Sequence, residues 1–202
     1  MTAETASIRH EQISVEEFDA LPTDTDLRYE IENGYLLEHA GLAPPRSRAI
    51  TRLARQLDDQ LPPDLEALPG LEAELVGDSP RRVLDIVVAP VEVDEQTRIR
   101  ADQIALAIEI ATSGESAVRD YSVKAGEYAA NSIAHYWVID ILDADSAGLT
   151  IYTLDTEGNY RITPRATGVV KVDAPFPLTI DLDALTTRLS PAQNQETTVS
   201  DA

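Results

Sequence analysis

Residues 103–140 read QIALAIEIATSGESAVRDYSVKAGEYAANSIAHYWVID, and the order of patterns in this stretch decides the fold. Gln103 to Ala111 is an almost unbroken apolar run, which is how a strand covered on both faces reads. Residues 115–131 then place Val118, Tyr121, Ala125, Tyr128 and Ala129 on one helical face. Residues 135–140 form a second apolar strand through Tyr136-Trp137-Val138-Ile139. Strand, helix, strand is a βαβ crossover, which predicts parallel pairing and a right-handed connection. Upstream, Arg82 to Ala89 is β-branched and reads as one more buried strand. Each of the strands 82–89 and 103–111 contains a single acid, Asp85 and Glu109.

The first 13 residues lack apolar periodicity and are expected to be a loose leader. Ser14-Val15-Glu16-Glu17 has the form of a capping box opening a short helix that Pro22 stops. Tyr29, Ile31, Tyr35 and Leu37 flank Asn33-Gly34, the pair that best tolerates the positive φ of a tight hairpin. Ala49, Ile50, Leu53, Leu57 and Leu61 recur at helical spacing, so a helix is expected over 46–60, before Pro62-Pro63. A strand is expected around 72–76. Residues 149–154 and 160–163 should pair around Glu157-Gly158-Asn159, and 176–189 should hold a strand end and a short helix. Residues 190–202 are polar and are expected to be disordered. The fold class is therefore α/β of the mixed α+β kind, one domain over 14–189.

Composition narrows the function classes. The chain has 202 residues, 43% of them hydrophobic, which is enough for a core and unlike a disordered chain. No apolar run approaches the roughly 18 residues of a membrane span. The start carries an early acid and no apolar core of a secretory signal, so cytoplasm is the expected compartment. There is no cysteine, which excludes disulfides, thiolate nucleophiles and Cys-ligated zinc. Sixteen Lys+Arg stand against 36 Asp+Glu, a formal charge of -20. That balance argues against holding nucleic acid by bulk counterion release, and reads first as a solubility property of the surface. The three histidines show no metal spacing, and no P-loop, G-x-G-x-x-G or G-x-S-x-G occurs.

Asp85 and Glu109 carry the chemical signal. A carboxylate inside a buried strand costs several kcal/mol unless it is paired or metal-bound. Two such groups suit one hard cation, since Mg²⁺ takes oxygen ligands from one or two carboxylates plus substrate phosphate. The bland alternative is that each acid lies at a strand end, solvated or paired with an arginine. Lys124 is one of only two lysines, on the helix that follows the Glu109 strand. Asp120, Lys124 and Tyr128 fall at i, i+4 and i+8 along one face. A lysine there can stabilise charge developing on a phosphate, or simply pair with Asp120. Arg48, Arg52 and Arg55 make a basic stripe on the helix over 46–60, a candidate contact to phosphate backbone. Arg81 and Arg82, before Asp85, are a second candidate. The stripe also reads as a solvated face beside Asp58 and Asp59.

These residues resemble a family. RYEIENGYLLEH at 28–39, the Asp85 strand, IEI around Glu109, and above all RDYSVKAGEYAANSIAHYWVID at 119–140 look like the Uma-type restriction endonucleases of the PD-(D/E)XK nuclease superfamily. PFPLTIDLDAL near the end is similar to the family's usual close. The resemblance covers about 14–189 and implies a restriction-endonuclease-like central mixed sheet flanked by helices, with an N-terminal hairpin. It implies Asp85 and Glu109 as ligands of Mg²⁺ or Mn²⁺, joined by the Ile110 backbone carbonyl. It implies Lys124 as the catalytic lysine, moved to the helix from the position of Ala111. Glu30 matches an early family glutamate that can add a metal or water contact. Tyr128 and Asp120 would support the lysine. The sequence departs from the pattern at Leu84, where proline is usual, at Arg46 and Arg48, where many members have a histidine, and at Thr112-Ser113-Gly114.

Two functions suit these residues. One is a metal-dependent DNA endonuclease, with a homodimer suited to cutting two strands. The other is a catalytically inactive interaction module on a nuclease-like scaffold.

Overall fold

A computed structural model of the protein describes residues 7–21, 27–40, 42–143 and 146–187. The chain opens with β1 (Ser7–Gln12), α1 (Val15–Asp19), β2 (Leu27–Glu32) and β3 (Tyr35–Ala40). It continues through α2 (Pro44–Asp58), β4 (Leu65–Pro69), β5 (Glu72–Glu74), β6 (Arg81–Val83), β7 (Ile86–Pro90), β8 (Ile99–Arg100) and β9 (Leu106–Ala111). One long helical stretch follows, made of α3 (Gly114–Val118), a π-helical segment Arg119–Lys124, and α4 (Ala125–Ala130). Next come β10 (His135–Asp143), β11 (Ser146–Leu154), β12 (Tyr160–Ile162), β13 (Val169–Val172), β14 (Leu178–Asp181) and α5 (Asp183–Thr186).

The centre is a six-stranded mixed sheet in the order β12-β11-β10-β9-β7-β4. β9 and β10 pair in parallel, with Glu109 opposite Val138, as the crossover requires. β7 runs antiparallel to β9, and β11 antiparallel to β10. Period-2 alternation sends the strands' side chains to two cores. Ile86, Val88, Leu106, Ile108, Ile110, Trp137 and Ile139 pack on one face with Ala49, Ile50, Leu53 and Leu57 of α2. Val87, Ala89, Ala107, Ala111, Tyr136 and Val138 pack on the other with Ala117, Ala125 and Tyr128. Alternation therefore puts Glu109, between Ala107 and Ala111, on the face beneath the Gly114–Ala130 stretch.

The N-terminal hairpin forms as its turn chemistry dictates. Asn33 and Gly34 both have positive φ, 52° and 78°, and β2 and β3 pair from Leu27↔Ala40 to Glu32↔Tyr35. The capping box is also present: Glu17 N–H donates to Ser14 Oγ at 3.2 Å and Ser14 N–H to Glu17 Oε2 at 2.8 Å. Phe18 of α1 packs with Ile31 and Leu36 in a satellite core.

Three expectations need correction. Part of the loose leader is strand: Ser7–Gln12 adds to the free edge of β3, with Ile8 opposite Leu37. Its drive is the unpaired backbone of that edge, which a polar hexapeptide does not advertise. The stretch Arg82 to Ala89 is two strands rather than one. β6 pairs with β5 in a separate three-stranded sheet, while β7 joins the central sheet, and Leu84-Asp85 is the joint between them. β4 is an additional strand, antiparallel to β7. The tail 190–202 lies outside the described residues.

Arg82 ties these parts together. It is fully buried, and its guanidinium meets Glu127 of α4 at 2.6 and 2.8 Å, and Glu30 and Glu32 of β2 at 3.1 Å each. Burial disfavours its charge, but the carboxylates of Glu30, Glu127 and Glu32 outweigh that and hold the proton far more tightly than usual. Removing one partner of a buried ion network costs about 3–5 kcal/mol, because the others are left without compensation. Arg82→Met is expected to lose stability on that scale, read from the urea midpoint. Leu53→Ala, at the fully buried contact of α2 with the sheet, is expected to cost about 2–5 kcal/mol in the same measurement.

Candidate active site

Three segments converge on the face of the sheet beneath the Gly114–Ala130 stretch. The antiparallel register of β7 and β9 places Ile86 opposite Ile108. One residue further along, it sets Asp85 beside Glu109. Asp85 is completely buried. Its Oδ2 accepts the Ile110 N–H at 2.7 Å, so the break between β6 and β7 is closed by a side chain bonding to the neighbouring strand's backbone. Its other partner is Arg46, in the first turn of α2, with Nη2 at 2.9 Å from Oδ2. Arg28 Nη1 stands 3.8 Å from Oδ1.

Glu109 is also completely buried. Its Oε1 accepts from Tyr128 Oη at 2.8 Å and lies 2.8 Å from Lys124 Nζ. Burial pushes its carboxyl above the ordinary range; Lys124 opposes this, and Asp85 and Glu30 add to it. Lys124 is 4% exposed and lies 3.9 Å from both Glu30 Oε1 and Asp120 Oδ1. Burial disfavours its ammonium, but Glu109, Glu30 and Asp120 together outweigh burial and raise its pKa. Lys124 therefore stands as a charged donor and not as a base. Burial pushes Asp120 up to about 8, against the pull of Lys124 and with help from Glu109 and Asp85. The tyrosine hydroxyl of Tyr128 is raised by burial first and by Glu109 second.

Asp120 and Lys124, both in the π-helical segment, are buried, while Val118 just before it and Val123 within it face solvent. Segments of this kind recur at functional sites because they re-aim a helix locally.

Glu30 holds the approach to Asp85. Its Oε1 accepts the Val83 N–H at 3.1 Å and its Oε2 takes Arg82 at 3.1 Å. It thereby fixes the strand two residues before Asp85.

The oxygen chemistry fits a hard divalent ion. Glu109 Oε2 and Asp120 Oδ2 are buried with no hydrogen-bond partner among the described residues. Buried polar atoms are almost always satisfied, so each such atom asks for an ion or a water. The carboxylates of Asp85, Glu109, Asp120 and Glu30 offer oxygen, the ligand atom that Mg²⁺ or Mn²⁺ prefers. Among the described residues no three His, Cys, Asp or Glu side chains converge in a ready metal cage, and Asp85 carries an arginine.

The structure thus brings together Asp85, Glu109, Ile110, Lys124, Glu30, Asp120 and Tyr128. It does not bring the arginine candidates there as DNA contacts. Arg82 is fully buried among carboxylates, so its expected phosphate contact is withdrawn. Arg52 donates to the Ala184 and Thr187 carbonyls at 2.6 and 2.5 Å, closing the end of α5. Arg48 is half-buried and Arg55 exposed. Sequence reasoning passed over Arg46 and Arg28 as partners of Asp85. The only hint was two arginines near the acidic segments in a chain poor in positive charge.

Comparison with known proteins agrees with this fold. A crystal structure of a putative nuclease belonging to DUF820 from Anabaena variabilis matches with a TM-score of 0.62 at 17% identity, covering 86% of this chain and 97% of that one. No curated protein matches the chain. Residues 15–185 match the Uma2 family, described as putative restriction endonuclease. With that match running from α1 through α5, the chain belongs to the Uma2 family.

Proposed function

We propose that the protein is a divalent-metal-dependent endonuclease that hydrolyses phosphodiester bonds in DNA. The observation that supports this most is one buried contact: Lys124 holds one oxygen of Glu109 at 2.8 Å while the other has no hydrogen-bond partner among the described residues. That half-satisfied carboxylate, beside Asp85, is what a cation site needs. Asp85, Glu109 and the Ile110 carbonyl would hold Mg²⁺ or Mn²⁺. When bound, such an ion polarises the phosphate and makes a coordinated water more acidic.

The chain's own residues do the remaining work. Tyr128 fixes the Glu109 carboxylate by donating to Oε1. Lys124, kept charged by its three acidic neighbours, donates to the attacking water or to the phosphate oxygens, where negative charge grows as the new P–O bond forms and the old one breaks. Glu30 and Arg82 hold the strand that carries Asp85. Burial keeps bulk water from screening these charges. With Arg52 and Arg82 occupied inside the fold, DNA contact falls to Arg48 and Arg55, a small footprint consistent with the net charge of -20. A second copy of the chain would supply the second site for cutting both strands.

The competing reading is an inactive interaction module, and the Arg46–Asp85 pair favours it, because the metal carboxylate already has a cation. The two readings separate on metal binding. A site occupied at 100 Kd adds about 2.7 kcal/mol of stability, so the endonuclease is expected to melt higher with saturating Mn²⁺, and an inactive module to melt unchanged. On supercoiled plasmid with Mn²⁺, Lys124→Ala is expected to lose about 10²–10³-fold in cleavage rate, the scale for removing one preorganised donor. Asp85→Asn and Glu109→Gln are expected to lose at least as much, with circular dichroism confirming the fold. Cleavage at the wild-type rate by Asp85→Asn would remove the assignment.

A further inference from the structure

Arg46 reaches Asp85 from a place that ordinarily disfavours a positive charge. It sits in the first turn of α2, behind prolines at the first helical positions and without a side-chain cap. A helix start disfavours positive charge. The Arg46 guanidinium forks onto Asp85. Arg46 Nε is 3.2 Å from each carboxylate oxygen and Nη2 is 2.9 Å from Oδ2, while Ile110 N–H takes a further position on Oδ2.

This arrangement conflicts with Asp85 as a metal ligand. A carboxylate that binds Mg²⁺ must present an oxygen at about 2.0–2.1 Å from the ion. The guanidinium lies across both oxygens and repels a second cation. It cannot relieve the conflict by losing its proton, because arginine stays charged in proteins. It can only move. The Arg46 side chain is 14% exposed and Asp85 is 0% exposed, so the arginine closes Asp85 from the solvent side. Glu109 is different: Lys124 engages Oε1, and Oε2 has no hydrogen bond among the described residues. Asp85, by contrast, has the Arg46 guanidinium across both oxygens and Arg28 Nη1 3.8 Å from Oδ1.

We propose that Arg46 is an exchangeable stand-in for the divalent ion, neutralising Asp85 in the empty protein and swinging out when metal loads. The proposal rests on the reading of Asp85 as a metal ligand. It makes metal affinity a property of Arg46, because the apparent affinity falls by the fraction of molecules in which Asp85 is open.

Calorimetric titration with Mn²⁺ alone, on the full chain, tests both layers. Arg46→Gln is expected to bind Mn²⁺ about tenfold or more tightly than wild type, since it removes that closed fraction. Arg46→Lys, with one ammonium in place of a fork, should fall between them, and Asp85→Asn should bind weakly. If Arg46→Gln and wild type share one Kd while Asp85→Asn loses binding, the exchange is overturned and Asp85 remains a ligand. If Asp85→Asn binds like wild type, the ligand assignment itself fails and takes the exchange with it. A measurement on wild type covers the case in which Arg46→Gln does not fold. The Arg46 Nε–H resonance, identified by its loss in Arg46→Lys, should shift and lose solvent protection on adding Mg²⁺. An unchanged, protected resonance at saturating Mg²⁺ overturns the exchange.

Discussion

The structure depends on keeping ionisable groups out of water on one face of its central sheet. Asp85, Glu109, Glu30 and Asp120 are all buried, and one ammonium, Lys124, is buried among three of them. Desolvating charges is expensive, and their mutual attraction repays it only with good geometry and further hydrogen bonds. The surrounding architecture supplies those bonds. Ile110 N–H reaches Asp85, Tyr128 Oη reaches Glu109, and Val83 N–H reaches Glu30. A second cluster around Arg82 carries Glu30, Glu32 and Glu127. The apolar cores could have been built without any of these. That the fold tolerates them, and leaves Glu109 Oε2 and Asp120 Oδ2 without a hydrogen bond among the described residues, is the physical reason to regard the place as a site.

Much of this was legible in the sequence because the strongest periodic signals are also those that position the site. The apolar run ending at Ala111 and the Tyr136–Asp140 strand set the parallel pair. Alternation then fixes which way Glu109 points. Asn33-Gly34 and Ser14/Glu17 have turn and cap chemistry so local that no distant contact is needed to read them. Asp85 and Glu109 stood out because charged residues break an apolar strand.

The remainder was hidden for equally physical reasons. β1 carries little apolar pattern and exists only because β3 has an open edge. The division of the Asp85 segment into β6 and β7 is decided by partners on different sheets, which a β-branched run does not reveal. Arginine placement was the least readable. A guanidinium on a long stem serves a buried carboxylate, a helix end or a phosphate equally well, and its neighbours in sequence do not say which. Arg46, Arg52 and Arg82 take the first, second and first of these roles respectively.

The π-helical segment between α3 and α4 has a consequence for how this chain can change. An α-helix advances about 100° per residue, and the six residues Arg119–Lys124 absorb an offset against that rhythm. The segment upstream packs Ala117, and the segment downstream packs Ala125 and Tyr128, into the same core. Losing one residue from the segment ahead of Lys124 would let the helix regularise and would rotate the upstream half relative to the downstream one, so that Ala117 and the Lys124–Tyr128 pair could not both keep their places against the sheet. Descendants of this protein can therefore vary the outward residues of the segment, but its length is locked by the need to seat Ala117 in the core while two side chains are aimed at one acid.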